Sequence, residues 1–143
     1  MQARLPLLLA LLALAACGGG GSSGPSSDFQ GYWVYSYLAA GNGTTCSETG
    51  SIHFDPVGSR LTGTFSGRGG CQSASGSLDY AKTGLATGEV TGNALTFTLT
   101  ASQESCLYQG KIEAGTTDNM SGSLVCTPAD GGSPRHGSWS MRR

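Results

Sequence analysis

The sequence predicts an all-β domain, an antiparallel up-and-down barrel of about eight to nine short strands, and three observations support this prediction. A glycine followed two residues later by a large apolar residue recurs along the chain, most often at spacings of 12 or 13 residues. Within residues 93–101, threonines alternate with Leu95, Phe97 and Leu99, which is the period of a half-buried strand. No segment after residue 28 has the 3.6-residue period of an amphipathic helix.

The glycines of this repeat share one face with large neighbours. Leu61, Gly63 and Phe65 have the same parity, and Thr62 and Thr64 have the opposite one. Glycine inside a strand marks a tight bend or a close approach of another group. We therefore expect these glycines to let a narrow barrel bend. The alternative is that they leave an internal cavity for a ligand. The repeat units begin at Gly31, Gly50, Gly63, Gly76, Gly88, Gly110, Gly122 and Gly137.

Residues 1–16 have the pattern of a signal peptide. Arg4 precedes the apolar run Leu5–Ala16, which at about 1.5 Å per residue is too short to cross a hydrocarbon core of about 30 Å. The run ends in Leu14-Ala15-Ala16-Cys17, which resembles the lipobox of bacterial lipoproteins. The resemblance implies cleavage before Cys17 and fatty acyl chains, palmitate among them, on that cysteine. A secretory signal with an unrelated cysteine is the alternative.

Residues 17–28 are expected to be the lipidated cysteine and a flexible tether, followed by the barrel domain at 29–143. Residues 18–27 contain only Gly, Ser and Pro, and such a chain of about ten residues spans roughly 17 Å on average. Gly18 follows Cys17, where many lipoproteins retained at the inner membrane have Asp. The resemblance thus implies a lipid-anchored protein of the bacterial cell envelope, at the outer membrane.

The charge balance excludes some partners. The chain has nine acidic and eight basic residues, a net charge of −1, and no basic run. We therefore expect no nucleic-acid partner, and membrane contact only through the lipid anchor. The sequence predicts no particular oligomeric state.

Four cysteines besides Cys17 are expected to form two disulfides, because an even number in an exported domain is typical of a disulfide framework. A hairpin turn at 114–118 places Cys106 directly opposite Cys126. Opposed residues of two antiparallel strands lie within disulfide reach. The sequence therefore predicts a Cys106–Cys126 bond.

The second expected bond joins Cys46 and Cys71. A hairpin turn at 56–59 brings Cys46 near Gly69, two residues from Cys71. There is no Cys-x-x-Cys motif, and neither histidine has ligand spacing from a cysteine. We therefore expect no metal site and no cofactor.

The two ends of the domain resemble those of the calycin superfamily, which includes lipocalins and avidin-type proteins. Gly31-Tyr32-Trp33 begins the first predicted strand, and Arg142 and Arg143 end the last one. The resemblance implies that a late arginine, Arg142 or Arg143, packs across Trp33 and closes one end of the barrel. Gly31, Trp33 and Arg142 are taken as the closing residues. The domain is shorter than a typical lipocalin, lacks a C-terminal helix, and lacks the several tryptophans of an avidin biotin site.

No catalytic residues are predicted, and we expect that the protein is not an enzyme. His53 and Asp55 share an outward face, but no nucleophile can be chosen and no nucleophile-elbow motif occurs. The simpler interpretation is that His53 and Asp55 are two exposed residues of one strand.

Two functions remain. In the first, the barrel is filled and acts through its surface as a structural or interaction module of the envelope, with 39–47 and 66–75 as contact loops. In the second, it carries a small apolar ligand in its interior. The side chains expected to line that interior are aromatic: Trp33, Tyr35, Tyr37, Phe65, Phe97 and Tyr108.

Overall fold

A computed structural model describes residues 28–112 and 118–143, in which eight antiparallel strands form a closed barrel. Each strand pairs with the next, and the last pairs with the first, so the predicted fold class is confirmed. Among the described residues, no helix has the length and apolarity needed to cross a membrane. The strands are β1 (Gly31–Gly41), β2 (Thr44–Val57), β3 (Arg60–Ser73), β4 (Gly76–Thr91), β5 (Ala94–Thr100), β6 (Glu104–Lys111), β7 (Asn119–Pro128) and β8 (Arg135–Arg142).

The repeat corresponds to strands with one exception. Gly76 and Gly88 both lie on the long strand β4, so two repeat units share one strand. The expected contact loops at 39–47 and 66–75 are also mostly strand, because β1, β2 and β3 continue through them. Longer hairpins thus replace the separate short strands and loops that the spacing predicted.

Side-chain parity follows the prediction. Leu61 and Phe65 are buried, whereas Thr64 is exposed. Met120 and Leu124 face inward in the same way, on either side of Gly122. The alternation therefore separates an apolar interior from a wall rich in Ser and Thr.

The hairpin registers agree with the prediction in one case and differ in the other. Cys106 lies opposite Cys126, as expected. In the β2–β3 hairpin Phe54 lies opposite Gly63, two residues from its predicted partner Leu61. The turn is confined to Gly58 and Ser59, because Gly58 adopts a positive φ of 64° that permits a tight two-residue connection.

Both predicted disulfides are present. Cys46–Cys71 joins β2 to β3, and Cys106–Cys126 joins β6 to β7. In a ring of eight strands these two pairs stand on opposite sides. The two bonds therefore brace opposite walls of the barrel.

The barrel has two different ends, because up-and-down strands place alternate connections together. The mouth is the end that carries the connections after β1, β3, β5 and β7. The closed end carries the connections after β2 and β4, together with the first and last described residues, Asp28 and Arg143. Both disulfides lie in the half of the barrel nearer the mouth.

Trp33 fills the barrel interior at the closed end. Phe29 stacks on its ring at 5.5 Å, and the indole N–H donates to the carbonyl of Phe29 at 2.9 Å. The guanidinium carbon of Arg143 lies 4.6 Å from the Trp33 ring centroid, so the arginine across this tryptophan is Arg143 and not Arg142. The side chain of Met141 points inward and that of Arg142 outward, so the alternation along β8 makes Arg143 the next residue on the inward side.

Three expectations fall outside the described residues. They are the signal peptide at 1–16, the tether up to residue 27 with Cys17, and most of the turn at 114–118.

Candidate functional site

Four charged side chains cross the interior just below the mouth, and we call them the ionic layer. They are Glu48, Lys82, Glu104 and Arg135. They come from β2, β4, β6 and β8, so every second strand contributes one. Such layering by alternate strands is how a barrel fills its interior at one level.

The ionic layer is a continuous chain of ion pairs. Lys82 Nζ lies 2.8 Å from Glu48 Oε2 and also bonds Glu104 Oε1. The guanidinium of Arg135 bonds the other oxygen of Glu104. Two carboxylates thus face two cations, and the layer is electrically balanced.

Tyrosine hydroxyls surround the ionic layer. Tyr35 donates to Glu48 Oε1. The Tyr37 hydroxyl lies 3.3 Å from a carboxylate oxygen of each glutamate and 3.0 Å from the Tyr80 hydroxyl. Because buried carboxylates need donors for their remaining lone pairs, these hydroxyls supply hydrogen bonds that the ion pairs alone do not.

Burial and the glutamates together disfavour the ionised form of these tyrosines. Burial is the largest cause that raises the pKa of Tyr35, Tyr37, Tyr80 and Tyr108 above the ordinary value of 10.0, and the charge of Glu48 raises each pKa further. All four therefore remain neutral hydrogen-bonding groups at physiological pH.

Two polar atoms at this level have no hydrogen-bond partner among the described residues. They are the hydroxyl of Tyr108 and Nε of Arg135, and both are buried. The Tyr108 ring meets the rings of Tyr35 and Tyr37 edge-on at 6.4 Å, and both of those hydroxyls bond Glu48, so Tyr108 lies beside the ionic layer. A buried polar atom without a partner is rare and requires an explanation.

Gly67 on β3 makes room for this arrangement. A Cβ built at Gly67 would clash with the carboxylate of Glu48 and the hydroxyl of Tyr35. The close approach of these two groups therefore depends on the missing side chain.

All six residues predicted to line the interior are buried there. Phe97 stacks on Tyr108 at 4.6 Å between ring centroids, and Trp139 meets Phe97 edge-on at 5.3 Å. Tyr35 contacts both Phe65 and Tyr108 at 6.4 Å. These side chains pack against one another, so they fill the space that they line.

Two cavities formed by the described residues lie on the outer wall. The first has a volume of about 530 Å³ and is lined mainly by outward-facing polar side chains, among them Ser36, Thr49, Ser121 and Ser140. The next, of about 510 Å³, is also formed on the outer wall, by β2, β3 and β4.

The remaining candidates for chemistry are weak. His53 Nδ1 lies 3.4 Å from Asp55 Oδ2, both side chains are accessible, and Tyr32 packs on the imidazole at 4.5 Å. Glu104 lies near the sulfurs of Cys106 and Cys126, but these form a disulfide, and only a free thiolate ligates a metal. Neither group contains an activated nucleophile.

Sequence reasoning missed the ionic layer, although a signal was present. Glu48 has the same parity as Cys46 and Ile52, and Glu104 has the same parity as Cys106 and Tyr108. A charged residue that has the same parity along a strand as inward-facing apolar residues is expected to be buried. Two such residues of one sign predict buried cations as well.

No protein-family model matches the chain, and no curated protein matches it. Among solved structures, the chain is similar to a redesigned beta barrel, mFAP1, described as bound to DFHBI. The identity is 19%, the TM-score is 0.55, and the match covers 82% of this chain and 97% of that one. A second redesigned barrel, mFAP0, also bound to DFHBI, has 17% identity, a TM-score of 0.51, and coverage of 81% and 99%. These similarities show the fold, a small antiparallel barrel.

Proposed function

We propose that this chain is a lipid-anchored protein of the bacterial cell envelope, at the outer membrane, whose filled barrel is a rigid, non-enzymatic interaction module. The packing of the barrel interior carries this proposal. The aromatic core and the ionic layer occupy the interior, whereas two cavities of about 530 and 510 Å³ lie on the outer wall. A barrel of this kind acts through the surfaces that it presents.

The position of residue 28 supports one orientation of the barrel in this proposal. Asp28 lies at the closed end, where its carbonyl accepts a hydrogen bond from Arg143. An acylated Cys17 would be joined to this end by the Gly/Ser tether of roughly 17 Å. The closed end would then face the bilayer and the mouth would point away from it.

The hairpins at the mouth are the contact elements of this proposal. The β1–β2 and β3–β4 hairpins are tied together by Cys46–Cys71. Each presents an exposed leucine, Leu38 at 54% and Leu78 at 68% accessibility. Apolar groups on a rigid rim suit recognition of a protein partner in the envelope.

Membrane fractionation tests the anchor. The Cys17→Ser chain is expected to leave the membrane fraction, while a Ser27→Ala chain with its cysteine intact stays there. Continued membrane association of Cys17→Ser would overturn the anchor. Native mass spectrometry of the released Cys17→Ser chain tests the filled interior, because an apolar molecule that leaves only on denaturation would overturn it.

A second candidate function is the binding of a small molecule. The unpartnered hydroxyl of Tyr108 favours it, as does the resemblance to barrels described as bound to DFHBI. The groups near the mouth are charged and hydroxylic, so the ligand of this alternative would be polar at that end. The sequence predicted a small apolar ligand, with only a few polar groups to fix its orientation.

A further inference from the structure

The ammonium group of Lys82 lies in a cage of carboxylates and aromatic rings. Its nitrogen bonds both glutamates of the ionic layer and lies 5.4 Å and 5.5 Å from the ring centroids of Tyr37 and Tyr80. Carboxylates and tyrosine ring faces are the groups that recognise organic cations. We propose that this cage is a binding site for a primary ammonium group on a short unbranched chain, and that Lys82 is an internal occupant which the ligand replaces.

The charges of the cage select a cation. With Lys82 withdrawn, Glu48 and Glu104 face only the guanidinium of Arg135, and Arg135 bonds Glu104 alone. Glu48 would then be a buried carboxylate without a cationic partner, which is strongly unfavourable. An incoming ammonium restores the partner, whereas an anion or a neutral molecule does not.

Lys82 lies on the part of β4 that has the fewest backbone partners. β4 pairs with β5 only from Leu85 onward, so residues 76–84 pair with β3 alone and have a free edge toward the mouth. Segments with fewer backbone partners open at lower free energy than the rest of a fold. Lysine also has a long flexible stem, so its ammonium can move to solvent without unfolding of the barrel.

Tyr108 supplies a second, independent observation. Its ring packs against Tyr35 and Tyr37, which bond the ionic layer, and its buried hydroxyl has no hydrogen-bond partner among the described residues. A ligand that carries a second polar group beyond its ammonium would satisfy this hydroxyl. The site thus suits a diamine or an amino alcohol better than a simple alkylamine. This proposal does not depend on the lipid anchor.

The test uses the full-length chain and n-butylammonium chloride, whose cation matches the side chain of lysine. Thermal unfolding midpoints are compared with those in sodium chloride of equal concentration and in tert-butylammonium chloride, which has the same charge but a branched chain. The variants are Lys82→Ala, Glu48→Gln, and Lys111→Ala as a matched control, because Lys111 is an exposed lysine on the outer wall.

We expect n-butylammonium to raise the midpoint of the wild-type chain and of Lys111→Ala above that in sodium chloride, with a much smaller effect of the branched amine. Glu48→Gln should lose the response. Lys82→Ala should bind the amine about tenfold more tightly, since its internal competitor is gone. If Lys82→Ala does not fold without amine, the midpoints of the wild-type chain, Lys111→Ala and Glu48→Gln still decide whether the cage binds the amine.

Two results would overturn the proposal. In one, n-butylammonium has the same effect as sodium chloride on the wild-type chain. In the other, Lys82→Ala responds to the amine and the wild-type chain does not, which would make Lys82 a permanent structural part of the layer. Neither result bears on the membrane fractionation of Cys17→Ser, so the two proposals fail separately.

Discussion

Lys82 on β4 and Glu48 on β2 form an ion pair of 2.8 Å although β3 lies between their strands. The pair therefore joins side chains through the interior of the barrel and not along its wall. Buried pairs of this kind add little stability over a well-packed apolar pair, but removal of one partner is costly. This asymmetry makes the ionic layer a sensitive place for substitution.

Glu104→Gln is expected to lower the free energy of unfolding by about 3–5 kcal/mol, because Lys82 and Arg135 both lose a buried carboxylate. Chemical denaturation measures the change. Glu89→Gln is the matched control, since Glu89 is exposed on β4, and it should change the value by less than about 0.5 kcal/mol. Equal effects of the two substitutions would show that the layer is not buried in solution.

High pH should unfold the barrel as its interior tyrosines ionise. The pKa values of Tyr35, Tyr37, Tyr80 and Tyr108 are raised in the folded chain. In the unfolded chain these tyrosines lose their protons near the ordinary tyrosine pKa of 10.0. The unfolded state thus binds fewer protons above that pH, so the free energy of unfolding falls as pH rises through and beyond 10.

Absorbance of tyrosinate and near-ultraviolet circular dichroism, recorded in one alkaline titration, test this prediction. The signals of buried Tyr35, Tyr37 and Tyr108 and of half-buried Tyr80 should appear together with the loss of tertiary structure. Exposed Tyr32 gives a separate contribution and serves as an internal reference. Ionisation of all five tyrosines near pH 10 in an intact fold would contradict the buried arrangement.

Arg143→Ala should destabilise the closed end by about 1–2 kcal/mol, since it removes the cation over Trp33 and the hydrogen bonds to the carbonyls of Asp28 and Gln30. Tryptophan fluorescence, to which Trp33 and Trp139 both contribute, measures the change during urea unfolding. Arg142→Ala removes an exposed guanidinium and should stay within about 0.5 kcal/mol of the wild-type value. The reverse order would return the closing role to Arg142.

The two disulfides should stabilise the barrel to similar extents. Their cysteines are 25 and 20 positions apart, and loops of that length correspond to about 3 kcal/mol each in the chain-entropy description. Urea denaturation of Cys46→Ala/Cys71→Ala and of Cys106→Ala/Cys126→Ala measures each contribution. Reductant should lower the stability of either double variant further, because each retains one bond. An unchanged midpoint in reductant would contradict this.

Much of the barrel could be predicted because alternation and cysteine spacing are local signals. Cys106 and Cys126 fixed one register as soon as their hairpin was assumed. The β2–β3 register shifted by two, because Pro56 suggested a wider turn than the one Gly58 forms. Parity was nevertheless preserved, so the same residues face inward.

The candidate site was harder to predict because its charges come from four hairpins. The ion pair of Glu48 with Lys82 depends on strand order, shear and closure, which no spacing within one hairpin encodes. The resemblance left Arg142 and Arg143 open as the closing arginine, and the choice of Arg143 over Arg142 required the alternation on β8 to be followed to its last residue.

The disulfide pattern also has a consequence for the order of folding. Each bond joins two strands of a single hairpin, whereas closure of the ring brings together Ser36 and Ser140, which are 104 positions apart. Short loops close at lower entropic cost and sooner than long ones. Disulfide formation can therefore cross-link the β2–β3 and β6–β7 hairpins while the sheet is still open. The pairing of β1 with β8 is the least local one and forms last.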